Sequence, residues 1–450
     1  MATLNNYFIY NAFIVNEGKI FRGDVLIQQG KITAVYKERS AIVDVCMEND
    51  TLFIDATDLY LLPGVIDEHV HFREPGLTHK GTFLSESKAA VAGGVTSVMD
   101  MPNVIPQTVS INDWKDKMQL SDKKMFANYS FYIAATNNNL EELVNLDPKR
   151  VCGIKLFLGS STGNMLINNE QILSEIFKNH KVPLVAHCEE ESIIRENLEK
   201  MKERYGDEIP MALHSFIRSE EACFISSEKL IKLAKQYNSQ LHILHITTAK
   251  EVDLFSKEYP NITGEICVAY LYFDESNYEL LGTKIKCNPA IKTKDDQIAL
   301  LKALSDGRIQ TIASDHAPHT SEEKNNPYLK APSGIPMIQH TLPLMLELFY
   351  QKQIKLQTIV EKMCHAPARL FQIEKRGFIK ENYFADLVLV NTNTSQKITP
   401  DSLYYQCGWS PFENIELHGR IEKTFVNGIL VYDKGVFSQE PAGKPLYFNR

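Results

Sequence analysis

No two of the eight cysteines form a C-x-x-C pair; they are scattered at Cys46, Cys152, Cys188, Cys223, Cys267, Cys287, Cys364 and Cys407. Several fall in apolar runs such as Val151 to Leu158. Reduced core residues are therefore expected, and a disulfide framework is not. Long apolar runs are also missing, and nothing approaches the length of a membrane span. The first residues, MATLNNYFIYNAFIV, have no basic segment ahead of an apolar core, so a cytoplasmic protein is expected. Dense blocks of Lys and Arg are absent as well. Lys123-Lys124 and Lys200 to Arg204 come nearest, and the formal net charge is -8. No nucleic-acid and no membrane partner is expected from such a surface.

What is present is ordinary for a globular protein: 44% hydrophobic and 23% charged residues in 450. A chain this long can build a stable core without covalent staples. Residues 1 to about 60 read as short strands (Tyr7 to Val15, Asp24 to Gln28, Lys31 to Tyr36) with turns at Gly18, Gly23 and Gly30. The far end repeats this texture, with a buried-strand run from Ala385 to Asn391. Lys423 to Tyr432 reads as a hairpin around Asn427-Gly428. Two β-rich ends suggest one small β-sandwich built from both termini; two unrelated β segments are the alternative.

Between them, apolar strand-like runs alternate with helical stretches. The strands are Gly64 to His71, Thr96 to Met101, Tyr129 to Ala135, Gly153 to Leu158, Pro183 to Cys188, Gln240 to Thr247, Ile262 to Val268 and Thr311 to Asp315. Helices are expected over Thr82 to Ala92, Gln171 to Asn179, Glu190 to Tyr205, Ser219 to Tyr237 and Lys294 to Asp306. This is the pattern of an α/β protein with a (β/α)8 TIM-type barrel; an open doubly wound sheet would alternate similarly. The barrel is placed at 63–377 and the composite sandwich at 1–62 with 378–450.

The barrel reading is favoured by where the polar residues fall. His69, His71, Asn103, Lys155, His187, His245 and Asp315 all sit at the C-terminal side of successive strands, the rim on which barrel sites are built. Side chains two apart on a strand point the same way, so His69 and His71 converge. Imidazoles with a carboxylate suit zinc or a first-row neighbour.

Lys155, inside Gly153-Ile-Lys-Leu-Phe-Leu158, is either a buried lysine paired with an acid or an amine that has taken up carbon dioxide. The resulting carbamate would bridge two metals, which would lower the pKa of a shared water. Asp315 is placed to take the proton of that water and return it to the leaving nitrogen. His316 alone reads as a packed strand-end residue. His79, His180, His214, His242, His340, His365 and His418 lack such placement. His242, three residues before His245, is expected to face the opposite side of its strand.

Three runs carry a resemblance: Asp67-Glu-His-Val-His-Phe-Arg-Glu-Pro-Gly76, Gly93-Gly-Val-Thr-Ser-Val-Met-Asp-Met-Pro-Asn103 and Ser314-Asp-His-Ala-Pro-His319. Together they resemble the motifs of dihydroorotases, in the cyclic branch of the amidohydrolases. Phe384-Ala-Asp-Leu-Val-Leu389 and Val426-Asn-Gly428 extend the likeness to the terminal domain. The resemblance implies reversible cyclisation of N-carbamoyl-L-aspartate to L-dihydroorotate in pyrimidine biosynthesis, by a homodimeric enzyme with two Zn2+ per subunit. His69 and His71 would hold one ion and His187 with His245 the other, bridged by carboxylated Lys155, with Asp315 binding metal and moving the proton. Arg73 and Asn103 would grip the substrate carboxylate, assisted by His71, Asn288 and His319, and Ser333-Gly334 would offer backbone contacts. Where many relatives carry a His pair, this chain reads Val268-Ala-Tyr-Leu-Tyr272.

A hydantoinase or allantoinase is the nearest alternative, and Arg73 with Asn103 argues against it, since a simple hydantoin has no carboxylate. A non-catalytic homologue serving as an assembly partner would have lost ligands that are retained here. The polar loop Thr320 to Pro332, with Asn325-Asn-Pro327, reads equally as a mobile lid or a surface loop.

Overall fold

The computed structural model describes residues 5–37, 50–159 and 165–450; Cys46 lies outside them. The chain opens with the antiparallel meander β1 (Asn6–Asn16), β2 (Lys19–Gln28) and β3 (Lys31–Lys37). Strands β4 (Thr51–Asp55) and β5 (Tyr60–Pro63) then return parallel to β1. Their buried residues, among them Ile9, Ile14, Val25 and Ile27, form one apolar cluster.

Nine parallel strands follow: β6 (Val65–Val70), β7 (Val95–Asp100), β8 (Asn128–Phe131), β9 (Ile133–Ala134), β10 (Ile154–Phe157), β11 (Leu184–His187), β12 (Leu241–Ile243), β13 (Ile262–Cys267) and β14 (Thr311–Ala313). They pair in chain order as β6 to β8 and β9 to β14. Strands β8 and β9 are one run broken at Tyr132. Val70 bridges His316, and His71 N donates to His316 O at 2.7 Å, bringing the end of the series back to its start. Every residue of these strands is buried, which explains their unbroken apolar runs.

The expected helices form with boundaries within a residue or two, because their caps are written locally. Thr82 and Ser85 close a capping box on helix Phe83–Ala92, as Thr293 and Asp296 do on helix Lys294–Asp306; Ser219 caps Glu220–Tyr237. Among the described residues no helix is long and apolar enough to cross a membrane.

The chain then returns to its first sheet through β15 (Leu387–Lys397), β16 (Glu416–Val426), β17 (Ile429–Asp433) and β18 (Val436–Phe437). Strand β15 pairs with β5, Leu389 opposite Leu61, so both ends of the chain share one nine-stranded sheet in a TIM barrel plus β-sandwich fold. The expected hairpin turns at Asn427 (φ 52) and Gly428 (φ 76), the two positive values a type I′ turn needs. A Cβ on Gly428 would come 2.4 Å from Gly30 Cα, so this tip fits only against a bare backbone.

One reading changes. His242 and His245 do not face opposite sides. The strand ends at Ile243 and His245 takes φ 42, which bends it inward. His242 lies one layer below, fully buried, its ring nitrogens 2.8 Å from Thr263 Oγ1 and 3.3 Å from Thr311 Oγ1. The 320–332 segment begins with a short capped helix, Ser321–Lys324, and buries Lys324 and Tyr328.

Candidate active site

Six of the expected residues meet at the C-terminal ends of the strands. His69 and His71 turn their Nε2 atoms toward one oxygen, Asp315 Oδ1, at 3.2 and 3.1 Å. Across the cavity, His187 Nδ1 and His245 Nε2 face each other at 2.9 Å. Lys155 lies on the same wall, with Arg73, Asn103, Asn288, Ser333 and Gly334 completing a cavity of about 100 Å³. His319 is not part of that wall; it stands behind Arg73, its Nε2 3.1 Å from Arg73 Nη2. A larger cavity, about 840 Å³, opens beside Gln240, Asn261 and Gln310 at the opposite strand ends and gathers none of these groups.

Aiming these side chains inward strains the backbone. Arg73 (φ 69), His245 (φ 42) and Asp315 (φ 46) all occupy the left-handed region, which costs on the order of 1 kcal/mol or more for a residue with a Cβ. Strand pleating alone would not point them at one spot.

Acids hold the imidazoles in place. Glu265 on β13 sits 2.8 Å from His69 Nδ1, and Asn103 Oδ1 sits 2.8 Å from His71 Nδ1. Glu189 Oε2 accepts from His187 Nε2 at 2.8 Å and is itself gripped by Arg218 at 3.0 and 2.7 Å. That bond leaves the His187 Nδ1 lone pair turned into the cavity. Glu189, Glu265 and Arg218 escaped the sequence reading. The acids did carry a signal, since Glu189 lies two residues past His187 and Glu265 is a lone charge in an apolar strand. Arg218 carried none.

Electrostatics follow burial and neighbours. Burial pushes His71, His187 and His245 below their ordinary values, His71 to about 4. Burial also opposes the charged form of His69, but Asp315 and Glu265 outweigh it and raise its pKa. Burial would raise Asp315 too, yet His69, His71 and Lys155 hold it down at about 2. Burial lowers Lys155 to about 8, and no hydrogen bond or ion pair reaches its amine among the described residues. Asp315 and Glu265 act on it from beyond ion-pair distance.

The donor set fits metal ions: two pairs of imidazole nitrogens, a shared carboxylate and an orphaned buried amine. His69, His71 and Asp315 lie close enough together to ligate one ion. His316 is structural, its Nε2 2.6 Å from Glu86 and its Nδ1 accepting from Met337 N and Ile338 N. His214, bonded to Tyr328 and Cys287, is structural as well.

The profile of the amidohydrolase family matches residues 60–431. The chain belongs to this family, on the side of its cyclic-amide hydrolases. It is 32% identical to a dihydroorotase of Methanosarcina acetivorans over 91% of this chain and 88% of that one. With a dihydroorotase of Methanosphaera stadtmanae it shares 29% over 93% and 95% of the two chains. Among solved structures it is similar to the L-hydantoinase (dihydropyrimidinase) of Arthrobacter aurescens, with a TM-score of 0.93 and 25% identity over 98% and 100% of the two chains.

Proposed function

We propose that this protein is a dihydroorotase, reversibly closing N-carbamoyl-L-aspartate to L-dihydroorotate. The observation that carries the proposal is Arg73. Its guanidinium is 6% exposed, donates to Pro318 O at 2.9 Å, and has no ion pair among the described residues. Asp315, Asp100, Glu323 and Glu86 act on it only from beyond ion-pair distance, and His319 bonds it directly. Burial and the adjacent Arg73, Lys80 and Lys324 push His319 far below its ordinary pKa, so its ring is neutral. A buried cation without an acid is costly, and a substrate carboxylate in the cavity would relieve that cost through a bidentate contact. Dihydroorotate has such a group beside its amide; a simple hydantoin does not.

In this reading His69, His71, His187, His245, Lys155 as its carbamate, and Asp315 hold two zinc ions. The lowered pKa of Lys155 supports carbamate formation, because only the neutral amine reacts with carbon dioxide. When bound, the metals supply an activated water as nucleophile. Asp315, ionised over the working range, would serve as the proton carrier, accepting a proton on its carboxylate and returning it to the ring nitrogen. Asn103 orients His71, Ser333 Oγ bonds Asn288 Oδ1 at 2.9 Å, and this pair closes the carboxylate side. Residues 1–62 and 378–450 support the barrel of 63–377 as one domain.

The structural likeness to an L-hydantoinase favours a second reading, ring opening of hydantoins, and one assay separates the two. Purified protein should interconvert dihydroorotate and carbamoyl aspartate, and chelation should abolish this. Turnover of hydantoin without any on dihydroorotate would sink the proposal.

A further inference from the structure

We infer that Lys324 and Lys286 are positioning residues that fasten the segment from Tyr328 to Gly334 as a fixed wall on the carboxylate side of the cavity. This rests on the reading that the cavity binds substrate. Both lysines are buried, at 1% and 8% exposure, where a lysine is ordinarily held by an acid. Here the hydrogen-bond partners are backbone carbonyls. Lys324 Nζ donates to Lys286 O at 3.0 Å, Pro332 O at 3.0 Å and Gly334 O at 2.9 Å. An ammonium has three N–H groups, and each finds one acceptor. Lys286 Nζ donates to Tyr328 O at 2.6 Å and Ala331 O at 2.7 Å, and lies 4.4 Å over the Tyr328 ring.

The need for such partners comes from the segment itself. Residues 325–334 form turns and irregular backbone, so these carbonyls have no ladder or helix to bond within, and burying them unpaired would be costly. The two side chains replace secondary structure there. The wall they fix leads straight to the site. Gly334 N donates to Lys286 O at 2.9 Å, Ser333 Oγ to Asn288, and His319 Nε2 lies 3.1 Å from Ser333 O behind Arg73. Both Gly334 backbone groups thus bond within the clamp, which fixes their place on the cavity wall. None of the clamp contacts involves His69, His71, Lys155, His187, His245 or Asp315.

The test uses full-length, metal-loaded protein with Lys324→Met and, separately, Lys286→Met. Amide hydrogen exchange is followed over residues 325–335, metal content is measured, and kinetics use the cyclic amide that the parent turns over best. Each variant should exchange faster in that segment, keep the metal content of the parent and raise KM by about tenfold or more with a smaller change in kcat. A folded variant with parental exchange there, or with a parental KM, would overturn the inference. If Lys324→Met does not fold, Lys286→Met, which removes fewer hydrogen bonds, decides. Should the parent open hydantoins instead, the proposed function fails while the exchange data still judge the clamp.

Discussion

Glu189 and Arg73 are both buried charges near the cavity, but with opposite fates. Glu189 has its partner: burial would raise its pKa, yet Arg218, with help from His187, holds it at about 2. It is therefore ionised whenever His187 needs an acceptor for its Nε2 hydrogen. If His187 and His245 hold an ion as proposed, Glu189→Gln should weaken its binding by about 10–100-fold while leaving an ion at His69 and His71 in place. Competition with a chromogenic chelator reads this directly, and two parental affinities would exclude the orienting role. Arg73 has no carboxylate at ion-pair distance among the described residues, so its removal should be felt chiefly by the substrate. Arg73→Met should cost about 2–5 kcal/mol of dihydroorotate binding without metal loss. The KM of that variant, compared with the parent, is the check.

At the scale of an element, local chemistry and tertiary contact can be told apart by substitution. The capping box at Thr293 is local: its side chain accepts from Asp296 N at 3.2 Å. Thr293→Ala should lower stability by about 1 kcal/mol in a denaturant titration and leave kinetics untouched. Gly334 is the reverse case. It has φ 145, and a Cβ there would lie 2.5 Å from Ala317 O and 2.9 Å from His319 Cδ2. Gly334→Ala should therefore push the wall against the His319–Arg73 pair and raise KM, since neither backbone nor ring can yield without moving the other. A parental KM for Gly334→Ala would show that the wall has slack.

The whole molecule carries an acidic core beneath the site. Asp67, Glu68 and Glu265 are fully buried, and Asp67 Oδ2, both Glu68 oxygens and Glu265 Oε2 have no hydrogen-bond partner among the described residues. Burial raises Asp67 to about 7, and burial with the neighbouring Glu265 raises Glu68 well above the carboxylate range. An acid whose folded pKa exceeds its unfolded value adds stability that is complete below the unfolded pKa and is lost as pH rises through the folded one. The melting temperature should consequently fall as pH rises from about 4 through about 7, and Glu68→Gln should flatten that fall. An unchanged slope in the variant would remove Glu68 from the account.

Much of this architecture was legible because it is encoded by near neighbours in the chain. Caps, the Asn427-Gly428 turn and the apolar strand runs are local, so strand and helix limits could be read closely. The residues that meet in the cavity were legible for a related reason: each lies at or just past its strand end, and a barrel brings all such ends to one rim. His242 was misjudged because strand alternation was carried past the point where β12 stops. Lys324, Lys286 and Arg218 look like ordinary surface cations in the sequence. Their roles depend on carbonyls and a carboxylate contributed by distant segments.

The sequence by itself determined the alternation of strands and helices, and the residue types suited to metal binding and their place at strand ends, since all of these follow from side-chain chemistry and short-range geometry. Only the tertiary structure decided which nitrogen of each histidine faces the cavity, that Lys155 and Arg73 are buried cations with no carboxylate at ion-pair distance among the described residues, and that Lys324 and Lys286 bond carbonyls of the loop after His319. Those facts are distances between residues tens to hundreds of positions apart, and packing sets them where no local rule reaches.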